Sequence, residues 1–179
     1  MTVKLASDIV ESKRVIDLKK IVLILALIML LTPVASAEVA RGIDSFTGGT
    51  RVGSYSNVKD AVDSISLVKI ISPGLVEYEI SAGKRSTKEF LLSKTFIDIK
   101  IDNYTSHSIE IKKVELIPTD SPFVHSSYVD APISNEIVDE IKTAKRVALR
   151  FQTANGHSLV LVLPDTVLAE WKEVINTEK

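Results

Sequence analysis

With 179 residues, 22 Lys/Arg against 23 Asp/Glu and a net charge of −1, the chain has the size of one domain. It contains no cysteine, which excludes a disulfide framework, a thiolate metal site, a cysteine nucleophile and the cysteine-borne lipid anchor of bacterial lipoproteins. The first 37 residues hold five basic and three acidic side chains, so residues 38–179 carry 17 against 20, about −3. That balance provides no basic face for nucleic acid.

The N-terminal pattern is that of an export signal. Residues 21–31 read IVLILALIMLL, preceded by Lys19 and Lys20 and followed by Pro33, Ala35 and Ala37. Lysines hold the cytoplasmic end, the apolar run partitions into the bilayer, proline ends the helix and two small residues fit a peptidase. The predicted cut lies between Ala37 and Glu38. A retained anchor is the alternative, but crossing the hydrocarbon takes about 20 apolar residues and this run is shorter. Twenty residues, including Asp8, Glu11 and Asp17, precede the run, where such signals normally have a short basic start. A true start at Leu18 would give a compact signal. Either way, residues 38–179 are expected as a single exported domain, periplasmic or extracellular, that touches membrane only through the signal segment.

Residues 38–56 hold four of the seven glycines and read as loop with one or two short edge strands. Ser56 is placed to cap a short helical turn over 57–63. Residues 65–71 and 75–80 form a predicted hairpin around Ser72-Pro73-Gly74, and residues 81–88 a polar, basic loop. Residues 95–103 alternate, with Ile97, Ile99 and Ile101 on one face and Asp98, Lys100 and Asp102 on the other, as in a half-buried strand. Residues 109–117 change phase, which predicts a β-bulge near Lys112 and Lys113. The segment 118–132, with three prolines, is expected to cross between layers.

Ser134 reads as the N-cap of a helix over about 134–144. Residues 145–153 and 157–163 form a second predicted hairpin around Ala154-Asn155-Gly156. The apolar stretch 159–163 should be covered on both faces. Asp165 is the expected cap of a helix over about 166–176, whose Val167, Leu168, Trp171, Val174 and Ile175 share one face. That helix is expected on the outer face of the final hairpin. The predicted fold is mainly β, an antiparallel sandwich-like domain of six or seven strands with two helices in its last third. A two-layer α+β sheet is the alternative. The unit FIDIKIDNYTSHSIEIKKVELI resembles immunoglobulin-like exported modules, a likeness that bears on architecture and transfers no activity.

Chemistry is sparse. His107, His125 and His157 lack any spacing that sets two on one face, so neither a metal site nor a histidine base is indicated. Three S-x-x-K pairs occur, Ser56/Lys59, Ser66/Lys69 and Ser81/Lys84, without the partner motifs of penicillin-recognising enzymes and mostly in strands, where i and i+3 point opposite ways. Asn103-Tyr104-Thr105 matches a glycosylation acceptor. No catalytic, cofactor or metal residues are assigned. Lys84, Arg85 and Lys88, in the basic loop, and Trp171, if its helix face meets a partner, are the candidate contacts. The function expected is an exported, non-enzymatic interaction or structural protein that binds a protein or cell-envelope component through sheet edges and loops. Two alternatives stand beside it: a small exported hydrolase with a site assembled from distant loops, and an exported inhibitor-type factor acting through the 118–132 loop.

Overall fold

A computed structural model describes residues 38–43, 48–93, 95–103 and 105–178; the predicted signal segment, including Ala35 and Ala37, lies outside the described residues. The alternating segments pair into two antiparallel sheets. The first holds β1 (Glu38–Ile43), β2 (Thr50–Asn57), β3 (Ser64–Ser72), β4 (Leu75–Ser86), β8 (His125–Ile133) and β7 (Lys113–Pro118), in that spatial order. The second runs β10 (Ser158–Val162), β9 (Val147–Gln152), β5 (Phe96–Ile101) and β6 (Thr105–Glu110). Among the described residues two α-helices, α1 (Asn135–Thr143) and α2 (Asp165–Asn176), accompany the sheets. It is the mainly β, sandwich-like architecture that the alternation predicts, with ten described strands where six or seven were expected.

Each extra strand has a physical origin. The Gly-rich start is not mostly loop: β1 and β2 pair over six residues, and β2 lies inside the sheet, between β1 and β3. Residues 81–86 are not loop either, because β4 runs on to Ser86, paired with β8. The phase change at 109–117 is a change of sheet rather than a bulge. Ile111, buried, bonds back to Thr95 O, whereas Lys112 N already donates to Asp130 O of the other sheet. A strand that turns a sandwich corner must exchange its core face in this way. The Pro-rich segment does not cross layers; it forms a β7–β8 hairpin whose connection spans only 119–124. Pro132 fits because β7 ends its pairing at Asp130, leaving no ladder donor to supply on that side.

The β3–β4 turn places Pro73 and Gly74 between the paired Ser72 and Leu75, with Gly74 at φ 78°, the left-handed value the second turn position demands. Residues 57–63 form no helical turn: Ser56 belongs to β2, and Val58 N bonds Asp63 O across a loop. Ser134 does cap α1, accepting from Ile137 N at 3.4 Å. Asp165 does not cap α2; Pro164 occupies the cap and Asp165 is the first-turn acid, favourably placed against the helix dipole.

The position of α2 is the largest departure from expectation. It packs on the inner face of β1, β2 and β3 and against α1, not on the final hairpin. A four-stranded sheet cannot cover a six-stranded one, and the helices fill the remainder. Four hydrogen bonds hold α2 there: Ser54 and Ser56 donate to Glu170 Oε2 at 2.9 and 3.2 Å, and the buried Lys69 donates to Ile175 O and Thr177 O at its C-terminus. β10 therefore has an open outer face, with Val160 and Val162 exposed. Val52, Leu67, Ile80, Ile99, Leu149, Phe151 and Trp171 lie together in one core.

Candidate functional site

The inner face of the large sheet is filled, so its outer face is where polar side chains collect. Alternation puts Arg51, Gly53 and Tyr55 of β2 outward with Ser64, Ser66 and Val68 of β3, Glu79, Ser81 and Gly83 of β4, and Tyr128 and Asp130 of β8. Gly53 aside, these residues line two adjoining depressions of about 380 and 750 Å³, which share Asn57, Ser64, Gly83 and Tyr128 and together make one groove across four strands. Two tyrosines stand in it, 57% and 42% exposed for Tyr55 and Tyr128.

Each ring lies down on a glycine. A Cβ on Gly53 would come within 2.9 Å of the Tyr55 ring, and one on Gly83 within 2.7 Å of the Tyr128 ring and 2.5 Å of Ser64 Oγ. Gly83 sits directly opposite Tyr128 in the β4–β8 register. Only glycine lets an aromatic neighbour settle against the sheet in this manner, and both rings remain partly exposed.

The groove's charges are mixed. Glu79 is half-buried; burial pushes its carboxyl above the ordinary carboxylate value, nearby Asp130 adds to the push, and Lys112, Arg51 and Lys113 oppose it without cancelling it. Among the described residues Glu79 has no ion pair. At the other end Lys84 Nζ donates to Ala61 O, and Arg85 N to Asp63 Oδ2.

Of the contacts foreseen from sequence, Lys84 and Arg85 line this groove. Lys88 is exposed in the short 3₁₀ turn that follows β4, away from the groove's lining. Trp171 is fully buried, because its helix face covers the sheet, and it presents nothing to a partner. The sequence marks neither Tyr55, Tyr128 nor Asp130 as a contact, and it presents Glu79, which flanks Tyr78 together with Glu77, as part of a solvated sheet face. Gly53-Ser54-Tyr55 does carry a local signal, an aromatic two positions after a glycine in a strand, but Tyr128 and Gly83 are 45 positions apart and meet only through register.

The histidines stay apart. His107 Nε2 pairs with Glu140 of α1 at 3.1 Å, His125 Nε2 is buried without a hydrogen-bond partner among the described residues, and none of the three lines the groove. No described cluster of His, Asp and Glu is arranged to hold a metal. Ser66 and Lys69 occupy opposite faces of β3: the serine lines the groove and the lysine reaches α2 inside. The sheet's edges are β1 and β7, and β7 exposes Leu116 and Ile117, with Phe123 in the loop beyond. No described helix is long and apolar enough to cross a membrane. No known protein family, curated protein or solved structure matches the chain.

Proposed function

We propose that the chain is an exported, non-enzymatic interaction or structural protein of the periplasm or cell surface that binds a cell-envelope component. The observation that supports this reading is the groove. It is open to solvent, holds two tyrosine rings and many hydrogen-bonding groups, and contains neither a histidine nor a nucleophile bonded to a base among its described residues. The edge strand β7 adjoins it through β8 and offers a partner further backbone donors and acceptors. Export rests on the segment from Lys19 to Ala37. The likeness to immunoglobulin-like modules enters only through the two packed antiparallel sheets.

A small exported hydrolase is the second reading, favoured by one observation: Glu79 and Asp130 share the groove, and the proton is held more tightly on Glu79 than on an ordinary carboxyl. Acid–base pairs at a glycosidic bond use two carboxyls held at different pKa values.

Expression of the full chain with its own leader in a bacterial host tests the reading. The recovered protein is expected outside the cytoplasm, beginning at Glu38, and should sediment with isolated cell envelopes without releasing soluble fragments. Cytoplasmic protein that still carries residues 1–37, or absence from the envelope pellet, would overturn it. Fragment release that Glu79→Gln abolishes would put the hydrolase in its place.

A further inference from the structure

We infer that the groove on the outer face of the six-stranded sheet takes a neutral carbohydrate chain, with Tyr55 and Tyr128 as stacking platforms and Ser66, Ser81, Glu79 and Asp130 as hydrogen-bond partners. This rests on the binding role proposed above and names its ligand class.

Four features carry it. First, each ring packs against a glycine and remains partly exposed to solvent. An aromatic face is electronegative, and the ring hydrogens of a sugar, polarised by neighbouring oxygens, suit it. Second, the floor between the rings is built from small hydroxyl side chains, Ser64, Ser66 and Ser81, beside carboxylates and Arg51. Donors and acceptors are thus interleaved, as a polyol requires of its site, since every hydroxyl both gives and accepts.

Third, the charges are balanced. Arg51, Lys84 and Arg85 stand against Asp63, Glu79 and Asp130, so no polyanion or polycation is favoured. A proline-rich peptide, the other chain that docks on aromatic grooves, would seek apolar slots between the rings; of the apolar residues along this groove, Ile65 and Ala82 belong to the buried core, which leaves Val68 and Val124. Fourth, the platforms belong to β2 and β8, three strand spacings or about 14 Å apart. That span suits an oligosaccharide of several units, and a disaccharide would reach only one ring.

Calorimetric titration of the exported, processed protein with chitohexaose and with a β-1,4-linked glucose hexasaccharide, each beside its disaccharide, tests the inference. At least one hexasaccharide is expected to bind, with its disaccharide weaker by about tenfold or more. Tyr55→Ala and Tyr128→Ala should each weaken the hexasaccharide by about tenfold or more, Tyr128→Phe should retain it, and Val160→Ala on the far sheet should leave it unchanged. Where an alanine variant fails to fold, amide shift mapping of the wild-type protein replaces it, with changes expected at Tyr55, Ser66, Ser81 and Tyr128. Silence toward both hexasaccharides, shifts confined to another surface, undiminished binding by both alanine variants, or displacement of the sugar by a proline-rich peptide would overturn the inference. Protein that sediments with envelopes yet ignores both sugars overturns the carbohydrate ligand and leaves the envelope-binding role standing. Hexasaccharide that is bound and cleaved keeps the ligand and replaces the role with hydrolysis.

Discussion

The outer faces of the two sheets share one alternating pattern but differ in how their charged groups are arranged. On the four-stranded sheet Asp98 is answered completely: Arg150 Nη2 lies 2.6 Å from it, Arg150 Nε 2.9 Å, and Ser108 donates to its other oxygen. The Ser108 bond, with help from Arg150, holds the Asp98 carboxyl below its ordinary value. On the six-stranded sheet Glu79 stands near Asp130 with no ion pair among the described residues, and burial raises its carboxyl. A carboxylate on the same kind of surface is saturated in one place and open in the other. A face whose groups satisfy one another has little to offer a ligand, whereas a face with unanswered polar groups between two bared rings can bind one.

The largest test of this contrast is steric. Gly83→Val should cost about 1–3 kcal/mol in urea denaturation, because its Cβ would collide with Ser64 Oγ and the Tyr128 ring, and it should lift that ring from the sheet. A variant as stable as wild type would show that the ring does not depend on the glycine.

A smaller effect separates the two carboxylates by sign. Asp98 ionises at lower pH in the folded chain than in the unfolded one, so its stabilisation is complete above the unfolded value and is lost as pH falls through the folded one. Asp98→Asn should therefore lower stability at neutral pH, by less than about 1 kcal/mol for a pair open to solvent, and flatten the acid limb of a plot of melting temperature against pH. Equal slopes for variant and wild type would deny the pairing.

Glu79 should behave in the opposite way and more weakly. Its folded carboxyl keeps the proton to higher pH than the unfolded chain does, so its contribution is favourable below the unfolded value and is lost as pH rises through the folded one. Glu79→Gln is expected to stabilise at neutral pH by a few tenths of a kcal/mol, with the gain vanishing in acid. A loss of stability at neutral pH would mean that Glu79 is answered after all.

Much of the scaffold was legible because its cause is local. Alternation in 96–101, the Pro73-Gly74 and Asn155-Gly156 turns and the Ser134 cap each act within a few residues, and all appear where the pattern put them. The misreadings concern distance. Residues 109–117 display a phase change, but whether a strand bulges or leaves its sheet depends on which neighbour receives Lys112 N, and that neighbour, Asp130, is 18 positions away. The basic stretch 81–86 has loop-like composition; its place beside β8 makes it strand.

The candidate site divides in the same way. Lys84 and Arg85 could be marked from composition and do line the groove, but the residues that give it character could not. Tyr128 acquires its platform only when register sets it opposite Gly83, and Glu79 acquires its raised carboxyl only from burial beside Asp130.

By itself, then, the sequence determined the charge and apolar pattern through residue 37 on which the proposal of export rests, the lack of cysteine, the mainly β class and the two described helices, because charge, apolar run length and side-chain period are properties of contiguous residues. Tertiary structure alone decided that α2 would cover β1, β2 and β3 and not the last hairpin, and that Asp98 on one outer face would be answered while Glu79 on the other stayed open. Both outcomes depend on area and register: four strands cannot cover six, and which residues stand opposite one another across a sheet is written in no single segment.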